Sequence, residues 1–189
     1  NNKLEFAISP YKSFRKFGDM VRAATDASYS KGISRHGWVW RWNDNVIADN
    51  NNNQVYVNIG QKRREGISQI AIEELRAVVF VVEEILVESE KQNKNVDTIL
   101  LAIDSNHAKG MIIKGVAKTK QARDLLIYLN ELLKGRNIVF TYVQSKLNPA
   151  DAPSRDEEFE NSLWIKLERT FDLLYFNIMR VFRTNKNIN

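Results

Sequence analysis

Residues 98–105 read TILLAIDS. A short continuous apolar run suits a strand buried on both faces, the central position in a sheet covered by helices. The run stops at Asp104, so a carboxylate stands at the polar end of that strand. Residues 20–28, MVRAATDAS, repeat the pattern, with a strand-like run entering a turn near Asp26. Two further acids occupy comparable places: Glu74 in IEELRAV, early in a helix-patterned stretch, and Asp151 in NPADAPSR. Such a carboxylate is a ready ligand for a hard divalent cation, and four of them converging would hold two ions. The constellation reads as that of a metal-dependent nuclease.

The bulk composition fits this reading and removes others. The chain has 189 residues and 43% hydrophobic content, enough for one well-buried domain with an appended element. It carries 28 Lys+Arg against 23 Asp+Glu, a net charge of +5. If four of those acids gather around metal, the remaining surface is more basic than the net figure, which suits a polyanion. The same excess of charge also serves plain solubility. There is no cysteine, which excludes disulfides, thiolate zinc sites and cysteine nucleophiles. Only two histidines, His36 and His107, argue against a histidine-rich zinc site. No apolar run approaches the length of a membrane span, and an intracellular setting is expected: cytoplasm, nucleus or viral particle. The first residue is Asn, so the sequence is expected to be a piece of something larger.

Around the two aspartate-ended runs the patterns alternate. Residues 1–18 lack a clean period and mix Tyr11, Phe14 and Phe17 with Lys12, Arg15 and Lys16, as a basic arm or linker would. SKGISRHG (30–37) reads as a turn, GWVWRW (37–42) as an aromatic strand, NDNVIADNNNN (43–53) as a polar connection and QVYVNIG (54–60) as a third strand. Trp38, Trp40 and Trp42 share one face, which favours core packing over base stacking. Residues 68–91 have helical periodicity with Ser68 as the expected N-cap. Helices are expected at about 106–115 and 120–134, the second ended by Gly135 at C′, followed by the strand NIVFTYV (137–143). After Pro153, residues 157–183 form an amphipathic helix with Phe159, Leu163, Leu167, Phe171 and Leu174 at three- or four-residue spacing. It would pack across the sheet or dock on another chain, and 184–189 reads as a disordered tail.

TDAS after the first strand, E-L-x-A in the first long helix, L-x-x-D-S after the fourth strand and N-P-A-D-x-x-S-R after the fifth resemble the ribonuclease H family. They are most similar to the ribonuclease H domains of reverse transcriptases from LTR-type retroelements and hepatitis-B-like viruses. The similarity covers roughly Val21 to Arg155. It implies an α/β fold with a five-stranded mixed sheet, order 3-2-1-4-5, and helices on both faces; the C-terminal helix is additional. The organisation expected is an arm at 1–18, a catalytic domain at 19–156, a helical extension at 157–183 and the tail. The resemblance also implies roles. Asp26 would bridge two Mg²⁺ ions, with Mn²⁺ as a substitute. Asp151 would complete the site of the ion that activates water, and Glu74 and Asp104 would hold the ion at the leaving 3′ oxygen. Glu73 is the competing choice to Glu74, since one residue turns a helical side chain by about 100°; Leu75 and Ala77 fall as the family has them with Glu74. Asp97 is expected in a solvated loop, and Glu83, Glu84 and Glu88 on an exposed helix face.

The chain departs from cellular members in two ways. VQSKLNPAD (143–151) lacks their loop histidine, which implies slower turnover. His107 is expected on a helix surface, with approach to the site as the alternative. A basic handle is also missing, with Lys109, Lys114, Lys118, Lys120 and Arg123 the nearest replacement. The expected activity is cleavage of the RNA strand in an RNA/DNA hybrid, beside a polymerase domain of the same polyprotein. The alternatives are a nuclease of this fold acting on DNA, of the junction-resolvase or transposase kind, and a non-catalytic tether that binds nucleic acid.

Overall fold

The computed structural model describes residues 4–8, 20–44 and 56–188, with side chains described as far as 181. The sheet has strands β1 (Glu5–Phe6), β2 (Met20–Ser30), β3 (Ile33–Trp42), β4 (Asn58–Glu65), β5 (Thr98–Ile103) and β6 (Asn137–Tyr142). The helices are α1 (Ile70–Lys91), α2 (Asn106–Lys114), α3 (Lys120–Leu132) and α4 (Asn161–Ile188). Spatial order is β1-β6-β5-β2-β3-β4. This is the expected five-strand order with one short edge strand added, since β1 pairs antiparallel with β6. Part of the segment expected as an arm therefore belongs to the sheet; most of the rest of that arm lies outside the described residues, as does the polar stretch 45–55.

β5 is central as expected, parallel to both β2 and β6, with all of its residues buried. Alternate residues serve opposite faces. Ile99 and Leu101 join the core under α1, whereas Leu100 and Ala102 join the core under α4. Trp38, Trp40 and Trp42 pack beneath α1 with Leu75, Val78, Val82 and Ile85. The tryptophans are thus core residues, as their shared parity suggested. Glu84, expected on a solvated face, accepts hydrogen bonds from Trp38 Nε1 at 3.1 Å and Trp40 Nε1 at 2.6 Å. Two buried indoles need acceptors, and a partly buried carboxylate of α1 supplies both.

The hairpin between β2 and β3 is tighter than the sequence suggested. Its turn is only Lys31–Gly32, with φ of 53° and 74°, the two successive positive φ values that match the twist of a hairpin. β3 therefore begins at Ile33, and its partner β4 shifts downstream to 58–65, with Ile33 opposite Glu65 and Trp40 opposite Asn58. The strand expected at 54–60 overlaps it only at the end. α1 starts at Ile70 with Gln69 as N-cap and no side-chain cap bond, so Ser68 does not cap it. Gly135 does adopt positive φ, 77°, but the helix before it ends at Leu132 with Leu133 as C-cap.

α4 forms the second helical layer, and it continues to Ile188, into the segment expected as a tail. Its deeply buried stripe is Trp164, Leu167, Phe171, Leu174 and Ile178, packed on Met20, Ala24, Val39 and Val139. Phe159 precedes the helix and is only partly buried, so the stripe starts at Trp164. Arg22 bonds to Glu168 and to Asp172 (2.7 Å), and Arg41 Nη2 bonds to Glu168 Oε2 (2.7 Å), tying α4 to the sheet. From Trp164 to Ile178 the helix thus packs across the sheet, the first of the two placements expected of it.

Candidate metal centre

β2 and β5 run parallel as neighbours, so their C-terminal ends open on the same side of the sheet. Asp26 lies in β2 opposite Gly37 of β3, and Asp104 follows the last residue of β5. Ser105 then caps α2, accepting from Ala108 N at 3.1 Å, which fixes where the chain turns away. Glu74 comes from the first turns of α1. Carboxylate oxygens of Asp26, Glu74 and Asp104 all lie within 4.8 Å of one another. Asp151 lines the same cleft of about 360 Å³, together with Ser145, His107 and Arg155. The four acids singled out in the sequence converge, three of them tightly, while Arg155 Nε donates to Asp151 Oδ1 at 3.0 Å.

The NPADAPSR turn is stitched to the sheet by its own Asn148 and Ser154, letters of the motif to which the sequence assigned no role. Asn148 is fully buried; its Nδ2 donates to Thr25 O at 2.9 Å and its Oδ1 accepts from Ala150 N at 3.0 Å. Ser154 Oγ donates to Asp151 O at 2.7 Å, and Ser28 Oγ donates to Ser154 O at 2.8 Å. A Cβ on Gly37 would lie 2.3 Å from Ser154 N and 2.6 Å from Ala150 O. Glycine at 37 lets the turn carrying Asp151 rest directly on β3 beside Asp26.

Glu73 and Glu74 are separated by function as well as by angle. Glu73, wholly buried, receives Arg64 Nη1 at 2.9 Å and Arg76 Nε at 2.8 Å, and faces His36 Nε2 at 3.6 Å. Burial opposes its ionisation, but His36 and Arg76 outweigh burial and hold its carboxyl at about 2. Among the described residues no cation pairs with Glu74. Burial first, then the charges of Asp26 and Asp104, push its carboxyl far above the usual range. Asp26 is raised by burial and by Asp104, against a stabilising bond from Ala27 N at 2.9 Å. Asp104 is raised by burial, with hydrogen bonds from Ser145 and Asn148 opposing.

Two buried carboxylates and a half-buried one, all with raised affinities for protons, are short of positive charge. Glu74 Oε2 is buried, with no hydrogen-bond partner among the described residues. A hard divalent cation supplies both the missing partner and the missing charge, so the donor set fits Mg²⁺ or Mn²⁺. His107 is exposed and lines both this cleft and an adjoining one of about 460 Å³, which also holds Gln69, Lys114, Lys118 and Thr119. Of the other cations named from sequence, Lys109 pairs with Glu5 at 2.7 Å and Lys120 with Asp124 at 3.1 Å. Arg123 is turned onto the Lys118 carbonyl at 3.0 Å.

No protein-family model matches the chain, and no curated protein sequence is significantly similar. Solved structures do match in fold. RNase H1 from the halophilic archaeon Halobacterium salinarum NRC-1 superposes with a TM-score of 0.56 at 20% identity, over 72% of this chain and 98% of that one. The N-terminal RNase H domain of rv2228c from Mycobacterium tuberculosis, solved as a fusion with maltose binding protein, gives 0.56 at 16% identity, over 72% and 91%. LC11-RNase H1 in complex with an RNA/DNA hybrid gives 0.52 at 16% identity, over 72% and 95%. The chain has the ribonuclease H-like fold.

Proposed function

We propose that the protein is a metal-dependent endonuclease that hydrolyses the RNA strand of RNA/DNA hybrids. The observation that carries the reading is the cluster of buried Asp26 and Glu74 with half-buried Asp104, with Glu74 Oε2 left without a partner among the described residues. Asp26, Glu74, Asp104 and Asp151 would hold the cations, with Asp26 and Glu74 deepest. The chemistry that divalent cations would supply there is polarisation of a phosphodiester and a water made nucleophilic near neutral pH. The chain's own groups prepare that chemistry. The closely set carboxylates become fully ionised only against cations, Asn148 and Ser154 hold the Asp151 turn, and the Glu73 ion pairs fix the first turns of α1 so that Glu74 faces inward.

The hybrid-bound neighbour supports a hybrid as substrate, since it shares the fold that brings these acids together. Lys114 and Lys118, in the groove beside the cleft, suit the backbone of the second strand. TDAS and NPADAPSR further support a place beside a polymerase domain in a reverse transcriptase polyprotein. The test is cleavage of a labelled RNA/DNA hybrid in Mg²⁺ or Mn²⁺, beside double-stranded DNA, double-stranded RNA and a four-way junction. Cutting of the RNA strand of the hybrid alone is expected. Cutting of DNA or the junction instead would replace this reading with that of a DNA nuclease, and hybrid binding without any cutting with that of a tether.

A further inference from the structure

Away from the carboxylates, the outer strands carry an arrangement that stability alone does not explain. Arg35 of β3 stands directly opposite Arg63 of β4 in the antiparallel register. Directly opposed residues project from the same face, and like charges placed so destabilise a sheet. Among the described residues Arg35 has no ion-pair partner, and Arg63 reaches only the exposed Glu65, at 3.4 Å. Arg64, one residue on, points to the other face and is held by Glu73 at 2.9 Å. Structural pairing therefore accounts for Arg64 and not for the opposed pair. Charged residues do guard open sheet edges such as β4, but a single cation would serve that purpose without the repulsion.

The two guanidiniums line a groove of about 290 Å³, completed by Gln61, Lys62 and the turn at Pro153 and Asp156. That turn is continuous with Asp151. In the β2–β3 register, Asp26 pairs with Gly37 and Ser28 with Arg35. Two residues along and one or two strands across put Arg35 and Arg63 roughly 8 and 12 Å from Asp26 at the Cα level. A polynucleotide backbone lying in the acidic cleft would pass the groove within a few nucleotides.

We propose that the groove between β3–β4 and the 153–156 turn, with Arg35 and Arg63 as its forks, is a subsite for a backbone phosphate of the nucleic-acid strand engaged at the acidic cleft. The proposal rests on the nucleic-acid reading above. Two converging guanidiniums match the planar, multidentate recognition of phosphate oxygens, and the anion relieves their repulsion. Asp156 opposes it and tunes the site downward.

The test is fluorescence anisotropy with a labelled RNA/DNA hybrid across a salt series, in chelator so that nothing is cut. Wild type is compared with Arg35→Gln/Arg63→Gln and with Asp156→Asn. The double variant should bind about tenfold more weakly at low salt, and its log K against log salt should be shallower by about one. Asp156→Asn should bind more tightly. Thermal melting keeps the test clear of misfolding: in phosphate-free buffer the double variant should melt at or above wild type, because the repulsion is gone. Unchanged hybrid affinity and salt slope would overturn the proposal and leave the arginines as edge protection. If inorganic phosphate stabilised only wild type while hybrid binding stayed equal, the groove would take a free anion, and the proposal would also fall. Wild-type protein that failed to cut the hybrid, yet bound it through this pair, would end the nuclease reading and sustain the subsite.

Discussion

Substituting Gly37 by alanine tests how the Asp151 turn is seated. The added Cβ would sit 2.3 Å from Ser154 N, 2.6 Å from Ala150 O and 2.8 Å from the Pro153 carbonyl carbon, all of them backbone atoms. No side chain can rotate away, so either β3 or the turn must move. Restoring an ordinary contact of roughly 3.5 Å displaces the turn by roughly 1 Å. Overpacking of this kind costs about 1–3 kcal/mol, and a 1 Å misplacement of a reacting group costs about 100-fold in rate. Urea denaturation and single-turnover cleavage of a hybrid should therefore both respond to Gly37→Ala. Gly110→Ala is the control, because nothing lies within 4 Å of the added carbon. Its stability should stay level or rise, as alanine outranks glycine inside a helix. A Gly37→Ala variant as stable and as active as wild type would refute the seating argument.

Three further outcomes follow from charges and their partners. Glu73 is held at about 2 in the folded protein, so its contribution to stability is full above its unfolded value and is lost as pH falls toward 2; Glu73→Gln should flatten the acid limb of stability between about pH 5 and 2 in urea titrations. Asp26 and Glu74 are shifted the other way, so without cations the folded protein binds more protons than the unfolded chain; in chelator, melting temperature should fall as pH rises from 5 to 9, and Asp26→Asn should weaken that fall. Glu168→Ala leaves the nearly buried Arg41 without a carboxylate and Arg22 with Asp172 alone, and should cost about 3 kcal/mol by urea denaturation, whereas a change at exposed Arg169 should cost under about 0.5.

Much of this architecture was legible because its strongest elements are strongly patterned. TILLAI can hardly be anything but a buried strand, and α1 and α4 carry long apolar stripes. Asp104 was legible because it closes β5, and the other three acids because each stands in a short motif beside an apolar run. β4 was misplaced because NIGQKRRE is an edge strand, mostly exposed, with no apolar alternation to mark it; the more strand-like QVYVN drew the assignment upstream. β1, of two residues, is too short to leave a periodic trace. Asn148 and Ser154 stood in a quoted motif and Gly37 in none, but the roles of all three arise only when the 148–155 turn lands on β2 and β3. Glu73 and Glu74 were adjacent letters, and only Arg64, Arg76 and His36, gathered from three elements, assign the first to structure.

Binding of Mn²⁺, followed by electron paramagnetic resonance and calorimetry, tests the central claim most directly. Wild type should bind the ion, Asp26→Asn and Glu74→Gln should lose most of that binding, and Glu73→Gln should retain it while the protein stays folded. Equal Mn²⁺ binding by wild type, Asp26→Asn and Glu74→Gln would contradict the account, since the converging carboxylates would then not be the cation site.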